Sequence, residues 1–88
     1  METQVKNTTT ETRTIESTIA IDNEWLSPIT IKYDFVTVYD ALGLFGITVT
    51  DISYEISFFT DTPEEIILDQ VKEIIKEENY GITIDFAI

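Results

Sequence analysis

The stretch from Ile52 to Ile88 leaves this chain few ways to fold. Ile52, Tyr54, Ile56 and Phe58 alternate with Ser53, Glu55 and Ser57, the two-residue period of a strand with one buried face. Ile82, Ile84, Phe86 and Ile88 alternate in the same way with Thr83, Asp85 and Ala87. Between them, Ile67, Leu68, Val71, Ile74 and Ile75 fall on one helical stripe. Thr62, Pro63 and Glu65 have the spacing of a capping box, with Thr62 as the N-cap. Asp61, Glu64 and Glu65 complement the positive end of the helix, and Asn79 and Gly81 supply a stop. A strand, a helix and a strand in series cover one another as two layers, most easily with the helix as a parallel crossover.

Upstream, Ile15, Ile19 and Ile21 share a face with Ser17, while Thr14, Glu16, Thr18 and Ala20 take the other. Turn residues over 23–28 separate this strand from a second, in which Ile29, Ile31, Tyr33 and Phe35 alternate with Thr30, Lys32 and Asp34. The two read as an antiparallel hairpin with a loop of about six residues. Residues 36–45 are ambiguous. Val36, Val38 and Tyr39 prolong the strand, or Thr37 caps a short helical turn over about 38–44, to which Ala41 and Leu42 tilt the reading. Ile47 and Val49 have the opposite parity to Ile52, which requires a β-bulge at Thr50-Asp51 or a tight turn that splits the segment.

The expectation is an α+β fold. A mixed four-stranded sheet, five-stranded if that segment splits, carries one main helix, about 63–78, on one face. Residues 12–88 form a single domain, with Ile56 and Ile74 in its core. Residues 1–11 are polar, Thr-rich and unpatterned, and read as a flexible tail of which 1–10 are dispensable.

Charge bears most on function. The net charge is −12, from 17 acids and 5 bases. It is uneven: −4 over residues 1–50 and −8 over 51–88. Such a surface disfavours direct contact with nucleic acid or an anionic membrane and favours a basic partner. The plainer alternative is solubility. Hydrophobic content of 43% separates the chain from acidic disordered tails. With no secretory pattern near Met1 and no apolar run of about 20 residues, a cytoplasmic protein is expected.

His and Cys are absent, so the commonest general base and the best nucleophile are missing. No phosphate loop, dinucleotide fingerprint or calcium loop appears. No enzymatic activity, cofactor or metal is expected. The carboxylates near one another in sequence, Asp22 with Glu24 and Asp61 with Glu64 or Glu65, sit where acids solvate turns and helix starts.

Glu65, Asp69, Glu73 and Glu77 recur every fourth residue and form one row on the helix. Neighbours in such a row lie roughly 5–6 Å apart at Cβ and repel by about 0.2–0.5 kcal/mol per pair. In sign and regularity the row resembles one edge of a nucleic-acid backbone; the plainer reading is a solvated helix face. Asp51 and Glu55 on the polar sheet face, with Trp25 and Phe59 as aromatic anchors, complete the candidate partner-binding set. The expected function is a small acidic inhibitor that occupies the basic surface of a nucleic-acid-binding protein. Phage-encoded inhibitors of restriction and CRISPR enzymes are a class with this size, charge and lack of catalytic groups, though no family motif is present. The alternative is a structural or assembly subunit, such as a virion component, that associates, or forms a homodimer, through a sheet edge.

Overall fold

Alternation between β-branched and polar residues carries most of this chain into long strands. In the computed structural model, which describes residues 7–22, 25–43 and 45–87, the order is β1 (Asn7–Ile21), β2 (Trp25–Tyr39), β3 (Phe45–Ile56), α1 (Glu64–Glu78) and β4 (Asp85–Phe86). The sheet order is β1-β2-β3-β4. β1–β2 and β2–β3 are antiparallel, and β3–β4 is parallel across the α1 crossover. This is the expected mixed four-stranded sheet with one helix packed against it.

The register of β1 on β2 runs without a slip from Asn7↔Tyr39 to Ile21↔Trp25. Odd-numbered residues of both strands therefore share the helix side. Ile15, Ile19, Ile21, Ile29, Ile31, Tyr33 and Phe35 are buried there with Ile47 and Val49 of β3 and Ile67, Val71 and Ile75 of α1. A bulge keeps β3 in phase. Lys32 pairs with Ser53 and Asp34 with Thr50, so Asp51 and Ile52 both oppose Tyr33. Asp51 takes a positive φ of 53°, which Asp tolerates better than most residues. The shift lies within one residue of the position that parity requires.

Several expectations need correction. Residues 38–44 form no helical turn: β2 continues to Tyr39, because β-branched Val36, Thr37 and Val38 pair on both sides. The Asp40 carboxylate then accepts from the Leu42 N–H (2.8 Å), and Gly43, at φ 82°, turns the chain. β1 begins at Asn7, so 7–11 of the stretch read as a tail are paired strand, while 1–6 lie outside the described residues. Trp25 and Leu26 belong to β2 and leave only 22–24 between the first two strands. Among the described residues the C-terminal strand pairs at Asp85 and Phe86, and Ile88 lies outside them. Ile56 and Ile74 are half-buried and pack on the rim of the core rather than at its centre. The capping box does not form; α1 starts after Pro63 with no side-chain cap.

Three polar clamps hold α1 against the first hairpin. Near the helix start, the Thr62 hydroxyl is occupied elsewhere: it accepts from the Asp22 backbone N–H (2.9 Å), while the Thr60 hydroxyl donates to the Asp22 carboxylate (2.8 Å). Mid-helix, the Gln70 carboxamide grips the backbone of Ala20, accepting from its N–H (2.9 Å) and donating to its carbonyl (2.8 Å). At the far end Asn79 is buried. Its amide nitrogen donates to the Tyr33 hydroxyl (3.2 Å) and the Ile75 carbonyl (2.9 Å), and its Oδ1 accepts from Arg13 Nη1 (2.8 Å). The helix thus runs antiparallel to β1.

Strands of 15 residues reach about 50 Å, whereas a 15-residue helix reaches about 22 Å. The molecule is accordingly elongated, 58 × 22 × 18 Å. Its radius of gyration is 16.0 Å, against about 12 Å for an average domain of this length.

Ile75→Ala should cost about 2–5 kcal/mol in urea unfolding, and Ile74→Ala clearly less, because only Ile75 is fully enclosed. Equal losses would mean a different helix phase. Asn79→Ala should cost about 1–3 kcal/mol, since it removes the buried amide that donates to the Tyr33 hydroxyl and accepts from Arg13. A neutral result would remove Asn79 as a clamp.

Candidate functional site

Four-residue spacing puts Glu65, Asp69, Glu73 and Glu77 on one line of α1, and all four are exposed. The clamps decide which way this line faces. Gln70 reaches Ala20, so its neighbours Asp69 and Glu73 line a shallow groove with Thr18 of β1. Next to the last acid of the row, Glu78 lines a second groove with Thr12, Arg13 and Thr14. Of the row, Asp69 and Glu73 therefore border β1.

Cations do little to neutralise them. Lys76 lies 3.6 Å from the Glu73 carboxylate in an exposed pair, worth little in water. Lys72 and Lys76 both sit over the Phe86 ring, at 5.8 and 5.9 Å from its centroid. Arg13 is fully engaged: it pairs with Glu11, bonds Asn79 and stacks 3.8 Å from the Phe35 centroid. Burial works to lower its pKa, but bonding and attraction to Glu11 and Tyr33 outweigh it and raise the value, so the guanidinium stays charged.

The remaining candidate residues lie elsewhere. Glu55 pairs with Thr30 on the sheet face away from α1, and Asp51 marks the bulge; both are exposed and on β3, across the sheet from β1. Trp25 opens β2 and is 66% exposed, so it does not plug the core. Phe59, 93% exposed, follows β3 beside Thr60, whose hydroxyl reaches Asp22. Trp25 and Phe59 thus share the end of the molecule at which α1 starts, together with exposed Leu26, Phe58 and Ile66. The eight candidates form an acidic row on α1 that meets β1 at Asp69 and Glu73, an apolar end and two separate acids on β3.

Among the described residues, no group of three or more acids is placed to hold a metal ion. Asp22 spends its carboxylate on the Thr60 and Thr62 hydroxyls. Tyr54 is the one other described group with a shifted pKa; burial first, then the Glu64 carboxylate, raises it and keeps the phenol neutral. No described helix is long and apolar enough to cross a membrane.

From the sequence Asn79 is legible only as a helix stop, and Gln70 and the strand that forms the open edge are not legible. A Gln amid an apolar stripe and an Asn before a Gly stop were the available signals, but strand order, which decides what is an edge, is not written locally. Comparison with known protein families, with curated proteins and with solved structures finds no match to this chain.

Proposed function

We propose that this chain is a small acidic binding protein that occupies the basic, nucleic-acid-binding surface of a partner protein, in the manner of a nucleic-acid mimic. One observation carries the reading: Glu65, Asp69, Glu73 and Glu77 stand exposed at a rise of about 6 Å from one to the next, an unbranched row of like charge on a rigid helix. Natural helices reduce such repulsion with opposite charges at neighbouring turns, and among the described residues only Glu73 of the row has a cation within ion-pair reach. A charged line held by a clamped helix steers a basic surface and costs little to order on binding. The exposed Trp25 and Phe59 would add apolar contact at one end. A second reading, assembly through a sheet edge, has its own observation in the long edge strand β1.

The quadruple variant Glu65→Gln, Asp69→Asn, Glu73→Gln and Glu77→Gln tests the first reading. Removing the repulsion should leave the thermal midpoint unchanged or slightly raised. Immobilised wild-type protein should retain a basic protein that duplex nucleic acid or high salt releases, and the variant should lose it. Trp25→Ala should weaken the same capture more than it weakens folding. A quadruple variant that stays folded and captures equally well would remove the mimic reading and leave assembly in front.

A further inference from the structure

β1 is an edge strand of 15 residues. Ala20 reveals which of its backbone groups face outward, because its N–H and carbonyl meet the Gln70 side chain rather than β2. The β1–β2 register has no slip, so the other even-numbered residues, Thr8, Thr10, Thr12, Thr14, Glu16 and Thr18, turn the same groups outward. Among the described residues nothing pairs with them. The carboxamide of Gln70 is in effect a one-residue strand, and it shows that the edge accepts strand-like partners.

Proteins usually blunt such an edge by shortening it, bending it with a bulge or covering it. Here the bulge lies on β3, the helix covers the face rather than the edge, and only Ala20 is closed. What flanks the open part is mainly negative charge, with Lys32 across from Thr14 as the exception. Asp69 and Glu73 stand beside Thr18, Glu78 beside Thr14, and Glu16 projects from the opposite face. The one cation of β1, Arg13, is committed to Glu11, Asn79 and Phe35.

We infer that β1 from Thr8 to Thr18 is a strand-addition site for an extended segment of a partner protein with Lys or Arg at alternate positions. Backbone hydrogen bonds would supply affinity, and the flanking carboxylates would select basic side chains. A second copy of this chain fits poorly. Antiparallel pairing of two β1 edges requires a two-fold axis perpendicular to the sheet, which places both helices on one face with Asp69, Glu73 and Glu78 of each against the same seam. The acids thus guard the edge against self-pairing while they attract a basic strand. The inference rests on the acidic-surface reading above and specifies the form of the partner.

Two peptides of about a dozen residues, matching the Thr8–Thr18 span, separate the ideas. One alternates Lys and Thr; the other has the same sequence with every backbone nitrogen methylated, so that the charge is equal but no backbone donor remains. The Lys–Thr peptide should bind about tenfold more tightly or better and weaken with salt. It should slow amide exchange at Thr10, Thr12, Thr14, Glu16 and Thr18 while the odd-numbered amides, already bonded to β2, change little. Thr14→Pro, which removes an outward N–H without breaking the β1–β2 ladder, should abolish the preference between peptides. Circular dichroism and the thermal midpoint check that this variant folds. As a second variant, Asp69→Asn with Glu73→Gln should weaken both peptides. Equal binding of the two peptides, with no slowing at the even-numbered amides, would overturn strand addition yet leave the acidic-surface reading intact. Failure of both to bind would defeat both. A protein that forms dimers through β1 at micromolar concentration, shown by sedimentation with protection of the same amides, would replace the basic partner with a second copy.

Discussion

The position of one helix on one hairpin governs everything else in this molecule. Ile67, Val71 and Ile75 fill the layer above Ile31, Tyr33 and Val49, but burial is non-directional and would tolerate a helix turned or slid by a few ångströms. The clamps remove that freedom. Thr62 against Asp22, Gln70 against Ala20, and Asn79 against Tyr33 and Arg13 fix three points along α1 to successive parts of the hairpin. Hydrogen bonds contribute only about 1 kcal/mol each in net terms, yet leaving the buried Asn79 or Tyr33 unpaired would cost more than that. Their effect is chiefly on geometry: they decide that Asp69 and Glu73 border β1.

That geometry gives the high charge a location. A net charge of −12 spread evenly would be a matter of solubility. Where Asp69, Glu73 and Glu78 stand beside a strand whose outer hydrogen-bonding groups are open, charge becomes a directional field next to a set of directional contacts. The two features answer each other. The open edge needs something that discourages self-pairing, and a row of carboxylates needs something besides screening water to give it specificity.

The fold was legible in the sequence because its signals are periodic. Alternation over Thr12–Ile21 and Ile29–Phe35, the apolar stripe of α1 and the parity break before Ile52 each report a local geometry, and the sheet with its helix and bulge follows from them. Where two local signals competed, tertiary pairing decided. Ala41 and Leu42 favour helix, but Val36 and Val38 have partners on both sides, and Asp40 with Gly43 closes the turn. The Thr62 capping box was spelled correctly but lost its hydroxyl to Asp22, 40 residues away. The acidic row was visible as a spacing; that it meets the β1 edge at Asp69 and Glu73 was not, because the neighbour of a helix face depends on side chains such as Gln70 whose partners are remote in sequence.

Amide hydrogen exchange on the free protein tests the central claim, that β1 is an open edge closed only at Ala20. The account requires an alternating pattern: odd-numbered amides of β1 slow, Thr10 through Thr18 at even positions fast, and Ala20 slow despite its parity. Gln70→Ala should release Ala20 and leave the alternation otherwise intact. Uniform protection along β1 would contradict the account, because the edge would already be paired, and uniform rapid exchange would show that β1 does not hold the register on which the argument depends.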